Sequence, residues 1–206
     1  VRHVNVIQTV APATEPITTA DAKEHLRLST STEDDYVDAL IAAARSYCEG
    51  YTRRSFVTRT LAATFAAWPT KSDPWMLPSP PFGSLTSLAY VDADGNTQST
   101  LTLPAFLRGY QQDGIQHYCS SGTMSSGSGP FDRIPALQPC NPAPITVTYT
   151  AGYGAAAAVP KCIRQAMLLL IDHHFQNRSA VEVGQSITES PLGARNLLSI
   201  HALEIV

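Results

Sequence analysis

The chain has 206 residues, enough for one domain with a sizeable core or one domain carrying an insertion. Charged residues make up 15% of it, well under the ~25% typical of soluble domains, while the hydrophobic share is an ordinary 44%. The formal net charge of −3 argues against bulk, sequence-independent DNA binding, which needs clustered Lys and Arg to displace counterions.

Ala, Ser, Thr, Pro and Gly take the place of the missing charge, which fits either a surface facing other protein or a plain composition bias. Val1 to Val10 lacks an apolar run of signal-peptide length, and Leu61 to Trp68 and Ala166 to Ile171 fall short of a membrane span. No membrane association is expected, and a cytoplasm is the expected place of synthesis and use.

Residues 1–17 read as an extended N-terminal arm, loosely alternating over Val4 to Val10 and ending in the proline-spaced APATEPIT. Thr18 to Phe56 then reads as two helices. Thr18 stands three residues before Asp21, and Thr32 three before Asp35, a spacing that predicts a capping box at each helix start. After Thr32 the residues Val37, Leu40, Ile41, Ala44, Cys48 and Tyr51 recur in steps of three and four, one apolar stripe along a long helix. Glu33, Asp34 and Asp35 open that helix and Arg53 and Arg54 close it, as the helix dipole favours. Such a stripe needs a partner.

Leu61 to Trp68 and Leu85 to Leu103 are strand-like, the second turning at Asp94-Gly95. Between them PTKSDPWMLPSPPF holds five prolines, which predicts a packed crossing without regular structure. Residues 120–130, SSGTMSSGSGP, have the composition of a flexible loop. Ile145 to Gly154 alternates as a strand and ends in glycines. Pro160 opens a helix running to about Asn177, with Ile163, Ala166, Met167, Leu170, Ile171 and His174 on one face. This helix is the natural partner of the earlier stripe, and burying each large apolar side chain is worth about 1.5–3 kcal/mol. A polar stretch follows, and Ser190-Pro191 predicts the start of a short helix through Ala194, Leu197, Leu198 and Ile200.

The expected fold is therefore α+β. Residues 18–56 and 159–177 form a helical bundle core, built on Val37, Leu40, Ile41, Ala44 and Cys48 against Ile163, Met167, Leu170 and Ile171. Residues 57–158 form an inserted β-rich subdomain, and residues 178–206 a C-terminal linker and short helix.

No stretch carries recognisable catalytic chemistry. The chain has no phosphate-binding Gly-x-x-x-x-Gly-Lys-Ser/Thr and no Gly-x-Ser-x-Gly elbow. Cys48, Cys119, Cys140 and Cys162 are scattered without a Cys-x-x-Cys pair, against a structural zinc site. Cys48 and Cys162 read as small buried hydrophobes, and a Cys119–Cys140 bridge is disfavoured in a reducing compartment. Adjacent His173 and His174 point about 100° apart on a helix and cannot share one ion without distortion. No metal, cofactor or enzymatic activity is expected. A short helix before a longer one fits helix-turn-helix, but three acids at the start of the longer one are the wrong charge for entering a groove.

Pro16 to Leu28 (PITTADAKEHLRL) followed by Asp34 to Phe56 (DDYVDALIAAARSYCEGYTRRSF) resembles the opening of the head–tail connector, or adaptor, proteins of long-tailed phages and gene transfer agents. Leu77 to Gly95, Ile145 to Gly154, Val159 to Arg178 and Ser190 to Ser199 continue the resemblance in order, interrupted by a divergent insertion from about Arg108 to Pro142. The resemblance implies a structural virion protein of the neck, assembled in the host cytoplasm. It implies a ring, commonly twelve-fold, with portal protein on the head side and a stopper or tail terminator on the tail side. DNA would pass through the ring without specific binding. Within that reading the C-terminal segment, with Pro191, Leu192, Arg195, Leu197 and Leu198, is the expected portal-docking element. A tail terminator or tail completion ring, dominated by β structure, is the alternative, followed by a DNA-binding protein of the packaging machinery.

Overall fold

The computed structural model describes residues 5–70, 72–100, 107–112, 115–120, 135–178 and 192–203. They form a mixed α+β fold that divides into two compact units, Val1–Pro12 with Thr58–Gly152 and Ala13–Val57 with Tyr153–Val206.

The first unit is built of strands β1 (Asn5–Val10), β2 (Arg59–Phe65), β3 (Trp75–Met76), β4 (Phe82–Val91), β5 (Thr97–Thr100), β6 (Leu107–Gln112), β7 (Ile115–Ser120) and β8 (Ile145–Ala151). They make two antiparallel sheets, ordered β1-β2-β8-β4-β5 and β3-β7-β6. Alternation decides the faces of the larger sheet. Leu61, Ala63 and Phe65 of β2 and Ile145, Val147, Tyr149 and Ala151 of β8 are buried on one face. Thr60, Thr64, Thr146, Thr148 and Thr150 stand on the other. The buried face meets Trp68, Trp75, Leu77, Leu107 and Tyr118 in one apolar cluster.

The five-proline crossing is packed, as its composition suggests, yet it contains a short strand. Trp75 pairs with Tyr118 in β7, stacks on Phe65 with centroids 4.5 Å apart and donates its indole N–H to the Ala67 carbonyl at 2.9 Å. Aromatic burial and a satisfied indole outweigh the prolines at this point. The Asp94-Gly95 turn joins β4 to β5, with Gly95 at φ 86°. Gly83 marks a close approach: a Cβ there would lie 2.6 Å from Thr150 Oγ1, the atom that accepts from the Ser84 N–H.

The extended N-terminal segment is tied down over part of its length. Asn5 to Val10 is an edge strand paired with β2, its four β-branched residues Val6, Ile7, Thr9 and Val10 favouring extended backbone.

The second unit holds α1 (Thr19–Leu26), α2 (Asp34–Thr52), a 3-10 turn at Ala156–Ala158, α3 (Lys161–Gln176) and α4 (Leu192–Ser199). The first capping box forms: Thr18 Oγ1 accepts from the Asp21 N–H at 3.1 Å, and the Asp21 carboxylate accepts from the Thr18 N–H at 3.2 Å. The second does not. Glu33 is the N-cap of α2 and makes no side-chain cap, because a turn closed from the Asp34 N–H to the Ser31 carbonyl holds Thr32 ahead of the helix. Asp34 instead pairs with Lys23 at 2.7 Å, tying α2 to α1. Arg53 and Arg54 also lie past the end of α2, with Arg53 left-handed at φ 55°.

Val37, Ile41, Ala44 and Cys48 are buried along α2, with Leu40 half-buried at the margin. Tyr51 is 39% exposed, and the stripe continues instead at Thr52, whose hydroxyl donates to the Cys48 carbonyl. In α3, Ile163, Ala166, Met167, Leu170 and Ile171 are buried, His174 is exposed, and the stripe runs on through half-buried Phe175. Both stripes thus end with a step of four rather than three. Ala194 and Leu198 of α4 join the same cluster at 0% exposure. The C-terminal helix is part of this core. Loop residues 121–130 and the Ser190-Pro191 helix start lie outside the described residues.

Candidate functional site

Several of the groups that could carry chemistry are buried. All four cysteines are free: Cys48 is buried, Cys119 and Cys162 are half-buried, and Cys140 is exposed. Burial, with the Glu49 charge adding, pushes the Cys48 thiol up to about 12. Burial also pushes the Tyr118 hydroxyl up to about 12 and raises that of Tyr149, which donates to the Pro78 carbonyl at 2.6 Å. Among the described residues no three His, Cys, Asp or Glu side chains gather where they could hold a metal, and no helix is long and apolar enough to cross a membrane.

The features that invite contact are surfaces. In the helical unit, the outer side of α2 exposes Ala39, Ala43, Ser46 and Gly50 beside Tyr47 and Tyr51. Its first turn is acidic, with Asp34 and Asp35, and Arg53 stands just past its end. The opposite side is held by an ionic clamp. Arg45 reaches Glu15 at 2.6 Å and Glu49 at 3.1 Å, and Glu49 also accepts from the Phe56 N–H at 2.9 Å. An open cleft beside the clamp is lined by Glu15, Ile17, Thr18, Thr19, Asp38 and Ile41.

Arg178 fixes the point where the chain leaves α3. Its guanidinium pairs with Glu33 and lies over the rings of Tyr36 and Phe175, 4.7 and 4.9 Å from their centroids. At the far end of the C-terminal helix, Arg54 Nε donates to the His201 carbonyl at 2.8 Å and the Leu203 N–H bonds the Thr52 carbonyl at 3.2 Å. Burial, with the nearby Arg54 charge adding, lowers the His201 pKa.

The residues expected to dock on a portal separate into groups. Leu198 is fully buried and Leu197 packs against the same cluster. Arg195 is half-buried. Pro191 and the Leu192 side chain lie outside the described residues. Ile200, just past α4, is 71% exposed.

In the β unit the outer edge of β1 is the conspicuous surface, with Ile7 at 53% and Val10 at 57% exposure. Sequence reading missed this pair because an arm has no sides. The β-branched residues of NVIQTV, with no charge or proline among them, were the signal for a strand, though not for its place at the sheet edge.

No curated relative matches the chain in sequence. Among solved structures, its fold is similar to a chain described as the neck of an empty gene transfer agent particle computed with C6 symmetry, at TM-score 0.76 and 22% identity. That likeness covers 98% of this chain and 97% of the other. A chain from the virion of a native gene transfer agent particle matches at TM-score 0.74 and 22% identity, covering 98% and 96%. A third, from the neck of a native particle computed with C12 symmetry, matches at 0.68 and 22%, covering 98% and 97%. The head completion protein family matches residues 15–206, nearly the full length. The chain belongs to the head completion protein family.

Proposed function

We propose that the protein is a head–tail adaptor: a structural virion protein of the neck that forms a ring between portal and tail, extends the DNA channel and joins head to tail. The observation that carries this reading is the family match over residues 15–206. The full-length likeness to chains from particle necks computed with six- and twelve-fold symmetry supports a ring, twelve-fold in this reading. Portal protein lies on the head side, and a stopper or tail terminator on the tail side. The net charge of −3 suits a conduit that does not hold DNA by its phosphates. The helical unit acts as a bundle core that presents the outer side of α2 to neighbouring subunits.

The C-terminal segment is the portal-docking element of this reading. Leu198 anchors α4 to the core, so docking falls to Pro191, Leu192, Arg195 and Leu197 together with exposed Ile200. Truncation after Asn177 would remove Ala194 and Leu198 from the core and confuse docking with folding. Ile200→Asp is the cleaner variant: it should fold as wild type and fail to bind portal protein in a pull-down. Undiminished portal capture by that variant would overturn the docking role.

A further inference from the structure

We infer that β1 and β5, the two edges of the five-stranded sheet, meet between neighbouring copies of the chain and carry the sheet from one subunit into the next. This rests on the ring reading and supplies one of its subunit contacts.

An edge strand presents a row of backbone N–H and C=O groups that only another strand satisfies in full, and soluble proteins usually blunt such edges with charge, proline or a cover. Neither edge strand carries charge or proline, and no described strand covers its outer side. β1 is NVIQTV and β5 is TQST, both without charge, proline or glycine. Five of the six residues in β1 and three of the four in β5 are exposed. Among the described residues each strand is paired on one side only, β1 with β2 and β5 with β4.

The register adds a second observation. Ile7 lies opposite Ala62 and Val10 opposite Thr60, with a shift between Gln8 and Val10. Three steps along β1 therefore match two along β2, and the extra residue turns Val10 onto the same face as Ile7. That face continues through Thr64, Thr146, Thr148, Ser87 and Ala89 to Ser99 without a charged side chain. β1 is also held firmly enough to serve as a template. Arg59 donates to the Gln8 side chain at 3.0 Å, and the Thr9 hydroxyl donates to the Thr60 carbonyl at 3.2 Å.

The occupant follows from topology. All four ladders are antiparallel, so β1 and β5 run in the same direction at opposite ends of the sheet. In a ring of many subunits each neighbour is turned by a small angle, so β5 of one copy meets β1 of the next in parallel. A face-to-face dimer through two copies of β1 would leave both β5 edges open and could not close a ring. A short parallel ladder is weak alone, and it forms when other contacts already hold the ring together.

Cysteine pairs test this in assembled particles. Ile7→Cys or Val10→Cys is combined with Thr97→Cys or Ser99→Cys in a Cys140→Ser background. Each pair places two thiols on one sheet face, where adjacent strands can meet the Cβ separation of about 3.5–4.5 Å that a disulfide requires. Oxidation should give a ladder of covalent oligomers of this chain from at least one pair and none from the single variants. The double variant Ile7→Lys/Val10→Lys should fold normally and enter necks about tenfold less often than wild type. Rings visible in wild-type necks, with no ladder from any pair and lysine variants that assemble normally, would overturn the edge contact and leave the ring standing. Crosslinks to a different neck protein would overturn it too. Necks without a ring of this chain would remove the ring reading, and this inference with it.

Discussion

Glu49 shows how much one side chain can organise in this protein. It is 8% exposed, pairs with Arg45 and caps the Phe56 N–H, so it ties the end of α2 to the segment that leaves it. Glu49→Ala leaves the buried Phe56 N–H without its acceptor and Arg45 with Glu15 alone, and should lower unfolding free energy by about 2–3 kcal/mol in urea titrations. Glu49→Gln keeps an acceptor for Phe56 and should cost about 1 kcal/mol. Equal losses for the two variants would contradict the assigned roles. At the start of α1, the Thr18 hydroxyl and backbone hold the Asp21 carboxyl below its ordinary 3.8. A group held down in this way contributes stability above its unfolded value and loses it as pH falls through the folded one. Thr18→Ala should therefore raise the Asp21 midpoint in an NMR titration, and an unmoved midpoint would count against the capping box.

At the scale of elements, the two threonines that look alike in sequence separate sharply. Thr18→Ala should cost about 1 kcal/mol, whereas Thr32→Ala should stay within about 0.5 kcal/mol, since Thr32 lies in a turn and caps nothing. Comparable losses would restore the second box. Helix existence and facing were legible because steps of three and four survive in Val37, Ile41, Ala44 and Cys48 and in Ile163, Met167, Leu170 and Ile171. Helix ends were not, because the competing turn at Ser31 and the choice between Tyr51 and Thr52 depend on tertiary contacts. The edge role of β1 was hidden for a similar reason: its partner β2 lies about fifty residues away, and ladders leave no local mark.

The C-terminal helix is the clearest case of an element whose importance the sequence understated. Leu198→Ala opens a cavity among fully buried neighbours and should cost about 2–4 kcal/mol in thermal or urea unfolding. The His201 imidazole at its end is lowered from 6.5 by burial and by Arg54, so the folded state resists its protonation. The stability it contributes is complete above 6.5 and declines as pH falls through the lower folded value. His201→Gln should flatten that part of the stability–pH curve, and an unchanged slope would remove His201 as its source.

The whole molecule combines a charge-poor composition, a helical unit with its own core and a β unit whose five-stranded sheet, among the described residues, ends in β1 and β5. An assembly protein needs such surfaces more than it needs a pocket. If the proposed adaptor role holds, the isolated protein should show no salt-sensitive retention of duplex DNA, and sub-micromolar binding would favour a packaging role instead. The central claim is that the protein joins filled heads to tails. Electron micrographs of particles produced without it should show DNA-filled heads and free tails lying apart, and normally tailed particles in its absence would contradict the account.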